Sequence, residues 1–176
     1  MLFKFSVEQI DFLTFQLFTV SKSDTVLRTR RRGQLLTSIA GLLLSINLFV
    51  TGSTIAGFVM LAVAVATYLF YPRYHRWRLK SHFLKYSKKN YGSQFGQEES
   101  LETKIDHIIS KNIAGEGKVK STELESLIEI ADYYFLKMKN GSSIILPKRD
   151  IKEEKELVKE LKKMGVPLIQ ELEWAY

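Results

Sequence analysis

No cysteine occurs among the 176 residues, which excludes a disulfide, a thiolate metal site and a cysteine nucleophile and leaves the redox compartment open. Histidine is nearly as scarce. His75 and His82 sit seven apart and His107 falls in a separate stretch, whereas two rings reach one ion from i, i+3 or i, i+4 spacing. Also missing are G-x-S-x-G, P-loop and H-E-x-x-H patterns and any paired-carboxylate constellation. The lone Gly115-Glu116-Gly117 has no helix N-terminus following at phosphate-loop spacing and reads as a turn. The expectation is a non-enzymatic protein with no catalytic residue, metal or cofactor.

The most informative absence is of charge. From Gln34 to Tyr71, 38 consecutive residues hold no Asp, Glu, Lys, Arg or His. The run breaks once, at Thr51-Gly52-Ser53-Thr54, leaving residues 35–50 and 55–71 as two helical spans of a transmembrane hairpin. Each covers about 24 to 26 Å at 1.5 Å per residue, slightly short of a hydrocarbon core of about 30 Å. Arg28, Arg30, Arg31 and Arg32 precede the first span, and Arg73, Arg76, Arg78, Lys80, Lys85, Lys88 and Lys89 follow the second. By the positive-inside rule both termini are cytoplasmic in a multi-pass protein of the cell membrane. Tyr68, Tyr71, Tyr74 and Trp77 lie at that boundary as an aromatic belt. Because the first apolar helix starts at residue 35 with no small-residue cleavage site before it, the hairpin is expected to act as its own insertion signal.

Charge is divided unevenly along the chain. Residues 1–91 carry a net +10 and residues 92–176 a net −3. The basic excess sits where anionic headgroups reward it at about 1 kcal/mol per Lys or Arg, so Arg28, Arg30, Arg31, Arg32, Arg73, Arg76, Arg78 and Lys80 are candidate lipid-surface residues. A nucleic-acid protein would place basic residues among aromatics on its folded domain, and that domain is mildly acidic. No nucleic acid is expected.

In chain order, residues 1–33 read as a strand and an amphipathic helix. Leu2 to Phe5 alternates, Ser6 with Gln9 suggests a capping box, and Ile10, Leu13, Leu17 and Val20 make a helical stripe over residues 7–21. That helix has two available sites, the membrane interface or the soluble domain. In the hairpin, residues 34–71, Gly41/Ser45 and Ala62/Ala66 give small-xxx-small spacing, and Asn47 is expected to hydrogen-bond between helices. Residues 72–91 continue as a basic helix until Tyr91-Gly92-Ser93 breaks it.

Residues 92–176 form the soluble domain. Leu101, Thr103, Ile105, His107 and Ile109 alternate with polar residues, which predicts one strand over 100–110 with odd positions inward. A short strand follows at 118–120, and Thr122 with Glu125 caps a helical turn. Strands are predicted at 127–131, 133–139 and 143–146, the last two joined by Asn140-Gly141 in a type I′ turn. Asp150 with Glu153 caps a final helix that buries Ile151, Leu157, Val158, Leu161 and Met164 and stops at Gly165. Leu168 and Ile169 add a last short strand. The fold class is therefore an α+β membrane protein, a two-helix transmembrane hairpin plus a small antiparallel β domain closed by a C-terminal helix.

Glu125-Ser126-Leu127-Ile128-Glu129, Asp132-Tyr133-Tyr134-Phe135-Leu136 and Ile144-Ile145-Leu146-Pro147-Lys148-Arg149, in this order of parts, resemble the YcxB-like family of bacterial membrane proteins. Family members often carry a Trp in the stretch corresponding to Val119–Thr122, and this chain has none. The resemblance implies a cytoplasmic domain similar to pleckstrin-homology-like folds and implies no reaction. Tyr133 and Phe135, on the side of their strand opposite Tyr134, Leu136 and Met138, are candidate partner-binding residues together with Lys148 and Arg149. The leading functional expectation is a membrane-anchored regulator or adaptor presenting a protein-binding domain to an unidentified cytoplasmic protein. The second is a small homo-oligomeric channel or transporter-like hairpin protein.

Overall fold

Alternation at the N-terminus produces a half-buried strand. β1 (Leu2–Ser6) turns Phe3 and Phe5 inward and pairs antiparallel with β2 (Glu98–Thr103), Phe3 opposite Leu101. The computed structural model describes residues 1–113 and 115–175. They divide into two compact units, Met1–Gln16 with Leu84–Tyr176, and Leu17–Phe83.

In the first unit, β2 continues the antiparallel order β1-β2-β3-β4 through β3 (His107–Asn112) and β4 (Gly115–Lys120). The single strand expected over 100–110 is in fact a hairpin. The chain reverses at 104–106, where the Lys104 amide donates to the His107 carbonyl at 2.9 Å and Ile105 is 98% exposed. Thr103 then stands opposite Ile108, so the inward set is Leu101, Thr103 and Ile108, and parity switches across the turn. Apolar alternation passes through such a reversal unaltered when no Gly, Pro or Asn marks it. Gly115-Glu116-Gly117, read as a turn, is the first half of β4, with Gly117 opposite Ser110.

The second sheet has the order β7-β6-β5-β8, built from β5 (Leu124–Glu129), β6 (Tyr133–Met138), β7 (Ser143–Pro147) and β8 (Leu168–Gln170). Its β5–β8 pairing is parallel, so the domain is not purely antiparallel. A 3-10 turn at Ser121–Glu123 joins the sheets. At Asn140-Gly141 only the glycine has positive φ, 87°. A type I′ turn needs it at both positions. Instead the Gly141 amide donates to the Met138 carbonyl at 3.0 Å and the Met138 amide to the Ser142 carbonyl at 2.9 Å, a three-residue reversal with glycine in its left-handed position.

Helix α1 (Gln9–Ser21) lays its first half on this unit: Phe15 meets Phe135 at 5.2 Å between ring centroids and Phe12 meets Tyr91 at 5.2 Å. Of the two sites open to it, residues 9–16 take the soluble domain. The Ser6/Gln9 capping box is replaced by Asp11, whose carboxylate accepts the Glu8 amide at 2.7 Å. The Asp150 cap fails likewise, because Asp150 accepts the Ser6 amide at 3.0 Å. Helix α4 (Glu154–Lys163) starts after it, buries Leu157 and Leu161 completely, and ends at Gly165, φ 82°.

The second unit holds α2 (Asp24–Val50) and α3 (Thr54–Tyr91) up to Phe83, two helices long and apolar enough to cross a membrane. They pack through small residues. A Cβ on Gly41 would stand 2.9 Å from that of Ala64, and the Ser45 hydroxyl donates to the Gly57 carbonyl at 2.9 Å. Ser45, not Asn47, makes this interhelical bond; Asn47 is exposed. Ala62 and Ala66 also face outward, with Leu36, Leu43, Ile46, Phe58, Leu69 and Phe70.

Proline inside α3 has a local consequence. Pro72 has no amide hydrogen for the Tyr68 carbonyl four residues back. Gln34 supplies one: its Nε2 donates to that carbonyl at 2.9 Å.

Candidate functional site

Polar side chains converge at two places in the first unit. The first is centred on Asp11, fully buried at the start of α1. Arg149, in the 3-10 turn Lys148–Asp150 after β7, grips it with both terminal nitrogens, Nη1 to Oδ1 and Nη2 to Oδ2, each at 2.7 Å. Tyr133 of β6 donates its hydroxyl to Oδ1 at 2.9 Å. Burial pushes the Asp11 carboxyl up, but the hydrogen bonds from Arg149, the Glu8 amide and Tyr133 outweigh it and hold the group below its ordinary range. The Asp11 bond in turn raises the Arg149 guanidinium. A bidentate, charge-assisted pair of this kind fixes one geometry, so α1, β6 and the β7 exit are locked together.

The second place lies between β5, β6 and α4. Glu129 accepts from Lys148 Nζ and Gln170 Nε2, each at 2.8 Å, and from the Tyr134 hydroxyl at 3.1 Å. The same hydroxyl lies 3.0 Å from Glu154 at the first turn of α4, and Lys148 Nζ stands 4.7 Å over the Tyr134 ring. Burial first, then the bonds to Glu154 and Glu129, push the Tyr134 hydroxyl strongly up. Glu129, Tyr134, Glu154 and Gln170 border an open groove of about 740 Å³ reaching Val158 and Leu168. Among the described residues no three His, Asp or Glu side chains converge for a metal ion.

Each of the four partner-binding candidates has a neighbour within the domain, and Arg149 stays exposed. Phe135 is 1% exposed and belongs to the core, Tyr133 is bonded to Asp11, Lys148 to Glu129, and Arg149 to Asp11. Alternation along β6 shows two faces, and α1 covers the one that carries Tyr133 and Phe135. Asp11, Glu129 and Glu154 carry the geometry and have no sequence signature, because their partners lie on other elements.

An accessible edge exists elsewhere. β4 is a terminal strand of its sheet, paired only with β3, and its side chains are almost all exposed. Lys118 and Lys120 project from it.

The basic flanks meet at one end of the second unit. Gly33 lies against Tyr71, so that a Cβ there would collide with the Tyr71 hydroxyl. That contact brings Arg28, Arg30, Arg31 and Arg32 on α2 to the same end as Arg73, Arg76, Arg78 and Lys80 on α3.

Two helices long and apolar enough to cross a membrane, together with a two-sheet domain carrying one packed C-terminal helix, make an α+β layout. Residues 106–162, from the start of β3 to the last turn of α4, match the model of the YcxB-like protein family. Neither a curated protein nor a solved structure matches it. The Asp11 junction links the matched segment, through Tyr133 and Arg149, to an N-terminal helix outside it.

Proposed function

We propose that this protein is a membrane-anchored regulator or adaptor: α2 and α3 cross the cell membrane as a hairpin, and the two-sheet domain, pleckstrin-homology-like in its pair of sheets and C-terminal helix, binds a protein partner on the cytoplasmic side. The observation that carries it is the contrast between the two units. The first buries a core of its own apolar residues and exposes others singly, whereas the second turns Leu36, Leu43, Phe58, Leu69 and Phe70 outward over a charge-free length. Water would not tolerate that surface, and lipid requires it. The unpaired backbone of β4 supports strand addition by an extended segment of the partner. The test is photo-crosslinking in intact cells from residues placed at Lys118 and Lys120, with Lys159 on the exposed side of α4 as control. One cytoplasmic protein captured from β4 and not from α4 supports the adaptor; no capture from β4 removes it.

A second reading, a small homo-oligomeric channel, is favoured by one observation: Ala62 and Ala66 face outward after Gly41 and Ser45 are used inside the hairpin. Ion flux into liposomes holding the pure protein tests it, and absence of flux counts against it.

A further inference from the structure

The unit of residues 17–83 contains nine Lys and Arg and one acidic residue, Asp24. All nine lie in 22–32 and 73–80, at the end of the hairpin where the charge-free run stops. Most of these side chains are exposed, but Arg30 is half-buried, and its Nε is shielded from solvent with no hydrogen-bond acceptor. Its charge reaches His75, as does that of Arg78. His75 stacks on Tyr71 at 6.2 Å between centroids, and the Tyr71 hydroxyl is seated over Gly33. A guanidinium whose Nε is shielded from water without an acceptor, amid like charge, is an incomplete ion pair.

We propose that the missing partner is the phosphate of an anionic phospholipid, bound by the guanidinium of Arg30. The inference rests on the membrane reading above, which puts Arg30 at headgroup depth. It commits to a lipid because outward apolar residues of α2 and α3, Leu35, Leu36, Leu69 and Phe70, follow directly from this basic end and would lie along acyl chains. A planar guanidinium fork suits a phosphate better than a point ammonium does. Arg30 therefore differs in kind from its exposed neighbour Arg31.

Native mass spectrometry of the full-length protein, released from detergent micelles doped with phosphatidylglycerol or with phosphatidylcholine of the same chains, tests this. The wild type retains phosphatidylglycerol in preference, and inorganic phosphate does not displace it. Loss of a generic surface charge weakens binding by about fivefold, which is the effect expected for Arg31→Gln. Loss of a charge-assisted ligand exceeds about tenfold, which is the effect expected for Arg30→Gln. Arg30→Lys keeps the charge and still falls below Arg31→Gln; it decides the matter should Arg30→Gln fold poorly. Equal losses at 30 and 31, no preference for phosphatidylglycerol, or displacement by inorganic phosphate overturns the site. Recovery of the wild type in the soluble fraction instead overturns the membrane reading itself, so the two failures are distinguishable.

Discussion

Arg149 and Asp11, 138 positions apart, meet through two parallel hydrogen bonds of 2.7 Å each, and the carboxylate between them is wholly buried while the guanidinium side chain is 41% exposed. This asymmetry decides which substitution is worse. Arg149→Met strands a carboxylate away from water and is expected to cost about 3 kcal/mol. Asp11→Asn leaves a cation that water can reach, and about 1 to 2 kcal/mol is expected. Urea unfolding of the detergent-solubilised protein, followed by aromatic near-UV circular dichroism, checks the order of the two.

The same pair sets an acid limit. Asp11 has its folded pKa below the ordinary 3.8, so its contribution is present above that value and disappears as pH falls through the folded pKa. Tyr134 acts at the other end: its folded pKa lies above the ordinary 10.0, so its contribution is present below pH 10 and is lost as pH climbs beyond it. Stability measured against pH should fall below about pH 4 and above about pH 10. Tyr134→Phe should flatten the alkaline fall and cost about 1 kcal/mol at neutral pH.

In the hairpin, Gln34 answers the carbonyl that Pro72 leaves without a donor. Gln34→Leu should cost about 0.6 to 1.5 kcal/mol in the wild type. In a Pro72→Ala background, where the helix supplies its own donor, the same substitution should cost almost nothing. A double-mutant cycle on thermal unfolding in detergent reads the difference, and equal costs in both backgrounds would refute the link.

Two apolar residues of similar prominence in the sequence should behave oppositely. Phe135, 1% exposed, loses about 3 to 5 kcal/mol on change to Ala. Ile105, 98% exposed at its turn, should change stability by no more than about 0.5 kcal/mol as Ser. Chemical unfolding of both variants separates them.

Much of the architecture was legible because it rests on local signals. The charge-free run with one polar break marks α2 and α3, Gly165 marks the end of α4, and Asn140-Gly141 marks the β6–β7 reversal, though not its type. The β2–β3 turn was hidden because Lys104-Ile105-Asp106 continues the alternation on both sides of it. The polar junctions were less legible still. Asp11 looks like an ordinary first-turn carboxylate, and its partners Tyr133 and Arg149 are more than a hundred residues away. The strand pattern of Tyr133-Tyr134-Phe135 shows two faces but not the helix that covers the second one.

Membrane anchoring with both flanks on one side is the central claim, and the absence of cysteine makes it directly measurable. Single cysteines would be introduced at Ser53, in the α2–α3 turn, and at Ile105, fully exposed on the folded domain, and probed in intact cells with a membrane-impermeant maleimide. The predicted result is labelling at 53 from outside and labelling at 105 only after permeabilisation. Labelling of both from the same side, or release of the protein by carbonate extraction, would contradict the hairpin anchor.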